Sequence, residues 1–212
     1  MILIPRTVHI EGSFRKLLKV ARAGDRIDLY DGPWHEWTAY RYGIIIRINN
    51  QFLRNGNKLL YEGPWHEWRP HPRGVAIRIG NRFLLNGIHF LHEGPQDDWQ
   101  GHPRGIVVRI DNRFLLNGVH LLYEGPGEGW GPHPQGIVVR IGDRFLLNGR
   151  RPIYDGPQDT WGPHPRGIIL KIGDQFLRNG TKLIYQGPSD GWYAHDRGVI
   201  IRNGQQFRLF VS

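Results

Sequence analysis

The sequence predicts an all-β fold built from repeats, and three observations carry that expectation. RFLLNG stands at 82–87, 113–118 and 144–149, and QFLRNG at 51–56 and 175–180, so one phrase returns at a constant interval. Gly-Pro pairs begin at 32, 63, 94, 125, 156 and 187, and Trp37, Trp68, Trp99, Trp130, Trp161 and Trp192 keep the same step. Between them lie short apolar runs of alternating period, broken by Gly, Asn-Gly and β-branched residues that disfavour helix. A fixed period of this length marks stacked or radially repeated units.

The first element differs from the rest. In GSFRKLLKVARAGDRIDLYDGPW (12–34), Phe14, Leu17, Leu18 and Ala21 fall at helical spacing, with Ser13 to cap the start and Gly24 to end the helix. Residues 1–31 therefore read as an N-terminal cap and first coil. Residues 32–212 read as five 31-residue repeats plus a partial sixth, in one domain with no linker. Units 63–93 and 94–124 agree at 19 of 31 positions, which points to recent duplication or consensus construction. Within a unit, GIVVRI (105–110) has strand periodicity, and RFLL and VHLLYEG follow as further strands. PQDDWQGHPR makes a polar loop, so the unit holds three short strands and one long loop.

Two architectures accommodate such a unit. Asn-Gly and Gly-Asp between apolar runs are hairpin signals, and Val107 beside Val108 puts apolar residues on both strand faces. Each unit is then a small antiparallel blade, and six or seven blades close a propeller. Alternatively the turns are corners of a coil, each strand stacking parallel on its equivalent about 4.8 Å away. Asn81 and Asn112, and Asn55, Asn86, Asn117, Asn148 and Asn179, would then form amide ladders. The unit is short for a blade and comfortable for a coil.

The opening favours the coil. It resembles right-handed parallel β-helix proteins of the pectin-lyase-like superfamily, where a capping helix leads into a phrase matched here by Ala21, Gly24, Asp25, Ile27, Leu29, Gly32 and Trp34. GIVVRIDNRFLLNG is similar to the coil text of that superfamily. The resemblance implies a right-handed parallel β-helix solenoid of about six coils with an N-terminal capping helix. RNGQQFRLFVS at the C-terminus lacks a comparable cover, which predicts self-association through that end.

Composition bounds the function. Formal net charge is +9 and 23 of the 28 basic residues are arginine, so an anionic partner or a solvated basic surface is expected. No cysteine is present, which excludes disulfides and thiolate metal sites, and no apolar run is long enough to span a membrane. MILIPRTVHIEG shows no secretory signal, and the compartment stays open. Nucleic acid suits the charge, but no nucleic-acid motif accompanies it.

Candidate ligand-binding residues lie in rows. Trp68, Trp99, Trp130, Trp161 and Trp192 either fold back over an apolar face or offer a stacking platform. His71, His102, His133, His164 and His195 form a second row, with Tyr40 in the first unit. His35, His66, Asp97, Glu128, Asp159 and Asp190 form a third. Arg78, Arg109 and Arg140, with Arg47, Lys171 and Arg202, occupy one outward strand position. In a coil these cations would repel, so the row wants either Glu62, Glu93, Glu124 and Asp155 or a bound polyanion.

Enzyme signals are weak. HEW at 66–68 is not the zinc-protease motif, since His71 comes one residue too late and prolines preclude a helix. Ser13, Ser189 and Ser212 are the serines, and none sits in a nucleophile elbow. The resemblance implies that Asp97-Asp98 corresponds to the paired carboxylates of polygalacturonases. By the same resemblance, Asp97, Asp98 and Arg104 or Arg109 correspond to the pectate-lyase acids and base. Other units read Glu128-Gly129 and Asp159-Thr160, so the pair has the look of repeat drift. No catalytic residue, metal site or cofactor is implied. The expectation is a structural or recognition protein binding an extended polysaccharide, with a carbohydrate-active enzyme, a propeller lectin or a ligand-free scaffold as alternatives.

Overall fold

Each short turn reverses the chain instead of bending it. In the unit 98–124, strand Asp98–His102 turns through Pro103 and Arg104 into Gly105–Ile110. That strand turns through Asp111 and Asn112 into Arg113–Leu116, and Asn117, Gly118 and Val119 lead into His120–Glu124. All three pairings are antiparallel, with Trp99 opposite Val108, Val108 opposite Leu115 and Leu115 opposite Leu121. Asp111 sits at φ 54, Asn117 at φ 52 and Gly118 at φ 74, the left-handed conformations that tight reversals require.

The computed structural model describes residues 21–212, and over them the chain forms six four-stranded antiparallel sheets closed in a ring, a six-bladed β-propeller. The expected parallel β-helix is thereby corrected, and with it the pectin-lyase-like resemblance. Strand takes up most of each unit, and no connection within or between the repeated blades is longer than that from Glu124 to Gly129. Economy of turns is what fits a whole blade into so short a unit. Blades 1–5 span 36–62, 67–93, 98–124, 129–155 and 160–186. Most of the expected capping helix, from Ser13 to Gly24, lies outside the described residues, but its expected last turn does not: 21–25 form a turn, and no helix occurs among the described residues.

Blade 6 is completed from both ends of the chain. Its three C-terminal strands are Gly191–His195, Gly198–Asn203 and Gln206–Val211, and Arg26–Asp31 adds as the fourth. Arg26 faces Phe210 and Ile27 faces Leu209, so Gln206–Val211 is paired on both edges. Ile27 and Leu29 are buried with Val211, Ile44 and Ile46 in the cluster joining blades 6 and 1. The phrase read as a capping motif thus encodes the closing strand.

The core lies between blades. Along Gly105–Ile110, Val108 packs with Phe83 and Trp99 toward blade 2, while Val107 packs with Ile137 and Val139 toward blade 4. Ile106, Val107 and Val108 are all fully buried, which explains apolar residues on both faces of one strand. Phe52, Phe83, Phe114, Phe145, Phe176 and Phe207 repeat this layer, each fully buried.

The Asn-Gly turn clips each of blades 1–5 to itself, in place of the expected amide ladders. Asn117 Oδ1 accepts from Ile106 N at 3.0 Å and its Nδ2 donates to Arg104 O at 3.2 Å. Asn55, Asn148 and Asn179 make the same pair of bonds, as does Asn86 with a longer second one. The following glycine must stay bare, because a Cβ on Gly87 would meet the Tyr61 ring of the previous blade at 2.1 Å. Asn117→Ala should cost about 2–3 kcal/mol in chemical denaturation, from two orphaned backbone groups and a left-handed alanine. Asn117→Gly should recover the conformational part alone. Equal losses for both would contradict this division.

Candidate functional site

The tryptophans are wedges between blades. Trp99, 1% exposed, meets Phe83 edge-on at 5.0 Å, and Trp68, Trp130, Trp161 and Trp192 meet Phe52, Phe114, Phe145 and Phe176 in the same way. The indole N–H of Trp68, Trp99 and Trp130 donates to Glu36, Glu67 and Asp98 of the preceding blade at 2.6–2.9 Å. Trp192 donates to Thr160. The Trp99 indole and Arg78 hold the Glu67 carboxyl below its ordinary range, against the effect of burial. Asp98 thus serves a neighbouring indole, while Asp97 accepts from Asp111 N at 2.6 Å. The two carboxylates bind separate donors. Of the two arginines grouped with them by the pectate-lyase resemblance, Arg104 stands in a turn at the opposite end of the blade, while Arg109 lies opposite Asp98 across the strand pair and donates through Nε to Asp111 O at 2.9 Å.

The histidines end the innermost strands. His71, His102, His133, His164 and His195 are 0–5% exposed, and each Nδ1 accepts the backbone N–H two residues on at 3.1–3.2 Å. That bond places the ring proton on Nε2, which in His102 donates to His133 O of the next blade at 3.0 Å. Burial keeps all five rings neutral, lowering His71 and His195 to about 4 and His164 to about 3. His71, His133, His164 and His195, with Pro70, Pro72, Pro103, Pro132, Pro134, Pro163 and Pro165, line most of a funnel of about 380 Å³ at one mouth of the central channel.

The third row holds the opposite turns. His35 and His66 accept through Nδ1, and Asp97, Asp159 and Asp190 through Oδ2, from the backbone N–H of Asn49, Gly80, Asp111, Gly173 and Gly204 at 2.6–3.0 Å. One acceptor serves each of these five turns, and either kind of side chain supplies it. The arginine row brackets the same turns: Arg78, Arg109 and Arg140 donate through Nε to the carbonyls of Gly80, Asp111 and Gly142 at 2.7–2.9 Å. Arg78 also pairs with Glu67 at 3.1 Å, and Arg47 with Glu36. Glu93 and Asp155 pair with Arg82 and Arg144 instead. With one residue per blade, the column of like charges expected in a coil does not arise.

Antiparallel blades sort the remaining charges by end. Turns from first to second strand and from third to fourth strand emerge on one face, together with the channel funnel. The former carry Arg41, Arg73, Arg104, Arg166 and Arg197; the latter, with adjoining strand ends, carry Arg54, Lys58, Arg150, Arg151, Arg178 and Lys182. With Arg22 and Arg26 at the chain entry, this face holds 13 basic residues against Asp25 and Asp196. The opposite face holds 9 basic and 15 acidic residues in its turns and strand ends. Arg41, Lys58, Arg73, Arg104, Arg150, Arg151, Arg166 and Lys182 are exposed. None belongs to the candidate rows. Their signal lies in turn parity, which is readable only once each unit is known to be an antiparallel blade.

No group of His, Asp and Glu suited to a metal occurs among the described residues. No protein-family model matches the sequence, and no curated protein is significantly similar to it.

Proposed function

We propose that the protein is a non-catalytic binding module whose basic face recognises an anionic polysaccharide. The segregation of charge carries this reading: 13 basic and 2 acidic residues on the funnel face, against 9 and 15 on the other. Arginine forks recognise carboxylate and sulfate in two-point fashion, and a ring of them addresses a polymer of repeating anions with many weak contacts. Turns of two or three residues offer nothing long enough to enter a nucleic-acid groove. The tryptophans, packed against the Phe layer, support the blades and leave the exposed arginines to meet the ligand.

Polygalacturonate and dextran sulfate should bind at low salt and release as salt rises, with neutral dextran silent, in calorimetric titrations. Arg73→Glu with Arg104→Glu should weaken binding at least tenfold. Arg82→Glu with Arg113→Glu, on the acidic face, should change it less than twofold. Equal effects from both pairs, or tighter binding of duplex DNA at matched charge, would overturn the reading.

A further inference from the structure

The repeat is broken at one place on the basic face. After the Asn-Gly turn the other blades read Asn57-Lys58-Leu59, Ile88-His89-Phe90, Val119-His120-Leu121 and Thr181-Lys182-Leu183, whereas blade 4 reads Arg150-Arg151-Pro152. Leu59, Phe90, Leu121 and Leu183 stand 49–59% exposed along the outer strands. Pro152 puts a compact ring at that position, which an outer strand tolerates because its far edge has no ladder to serve. Beside it opens a cleft of about 420 Å³ between blades 4 and 5, inside the range of small-ligand sites.

The walls of this cleft are polar. Arg151 enters from blade 4 and Arg166 from blade 5, no acidic residue lines it, and neither guanidinium has a hydrogen-bond or ion-pair partner among the described residues. Gln135 stands where blades 2, 3, 5 and 6 carry arginine, adding a neutral donor and acceptor. The frame is fixed in advance. Arg166 N donates to His164 Nδ1 at 3.1 Å, Arg166 O accepts from Asn179 at 3.0 Å, and Gln135 N donates to His133 at 3.2 Å.

We infer that this cleft is a subsite for one anionic sugar residue, whose carboxylate or sulfate is gripped by Arg151 and Arg166 while Gln135 hydrogen-bonds a hydroxyl. The inference rests on the proposed polysaccharide binding and names where one residue of the chain is read. Leu121 and Phe90 occupy the equivalent place in blades 3 and 2, so the subsite belongs to this one interface.

The test is calorimetry on the whole protein with tetragalacturonate, a sulfated disaccharide, neutral maltotetraose and sodium sulfate. At least one charged oligosaccharide should bind at a single site, and which one separates carboxylate from sulfate. Arg151→Ala should weaken it at least tenfold. Pro152→Leu, which restores the repeat and leaves every charge in place, should do the same by filling the cleft, while Arg113→Ala, on the acidic face, should change it less than twofold. If polygalacturonate binds and neither short oligosaccharide does, the subsite falls and the basic-face reading stands; if nothing binds, both fall. Sodium sulfate binding as tightly as the sugars, or equal losses from Arg151→Ala and Arg113→Ala, would also overturn the subsite.

Discussion

Deleting residues 1–31 should leave a chain that no longer folds as a monomer. The fourth strand of blade 6 goes with them, and Ile27 and Leu29 leave the cluster that seals blade 6 against blade 1. Burial of those two side chains alone stabilises by about 3–6 kcal/mol, before any hydrogen bond is counted. Domains of this kind hold a total of about 5–15 kcal/mol, so the loss consumes most of the margin. It also bares the edge of Gln206–Val211, an apolar strand ready to pair with another chain. The truncated protein should elute as oligomers or aggregate, and its thermal transition should vanish. A variant carrying residues 21–31 after Ser212, through a Gly-rich linker, should recover the monomer, because the ring needs the strand and not its position in the chain. A soluble truncated monomer with an unchanged melting temperature would show that closure is not what holds blade 6.

The all-β class and the repeat are legible in the sequence; the direction of the strands is the harder question. Asn117-Gly118 and Asp111-Asn112 are hairpin signals, and both faces of Gly105–Ile110 are apolar, which only a sheet packed on two sides requires. Unit length and the pattern of Ala21, Gly24, Asp25, Ile27 and Leu29 outweigh those cues. That pattern fixes a turn leading into a strand with one buried face, and it does not say what the strand pairs with. Pairing between strands at opposite ends of the chain leaves no local trace. The rows of Trp, His and Asp or His stand out because they repeat, and what every blade repeats is what every blade needs to hold itself together. The arginines of the funnel face vary in position and partner. They become a group only through the alternation of turns between the two ends of each blade.

The histidine row should make the protein acid-labile well above the range where carboxylates titrate. In the unfolded chain imidazole binds a proton below about pH 6.5. In the folded protein His71 and His195 resist it until about 4 and His164 until about 3, because burial disfavours the cation and Arg73, Arg178 and Arg197 oppose it. His102 and His133 shift in the same direction. Protonation would also remove the Nδ1 acceptor that ends each inner strand. The folded pKa values being depressed, the unfolded state takes up more protons throughout this window, and stability falls as pH drops from about 6.5 toward 4. At pH 5 the linkage costs about 2 kcal/mol for each of His71, His164 and His195. The three together reach about 6 kcal/mol, comparable to the whole stability of a domain. Denaturant midpoints should therefore hold steady above pH 7 and drop sharply by pH 5. His164→Gln keeps an acceptor and a donor on a neutral side chain, so it should flatten the profile by about 2 kcal/mol at pH 5, at modest cost at pH 7.5. A wild-type profile already flat between pH 7 and 5 would mean that the rings take up protons in place, and that the channel wall is open enough to solvate them.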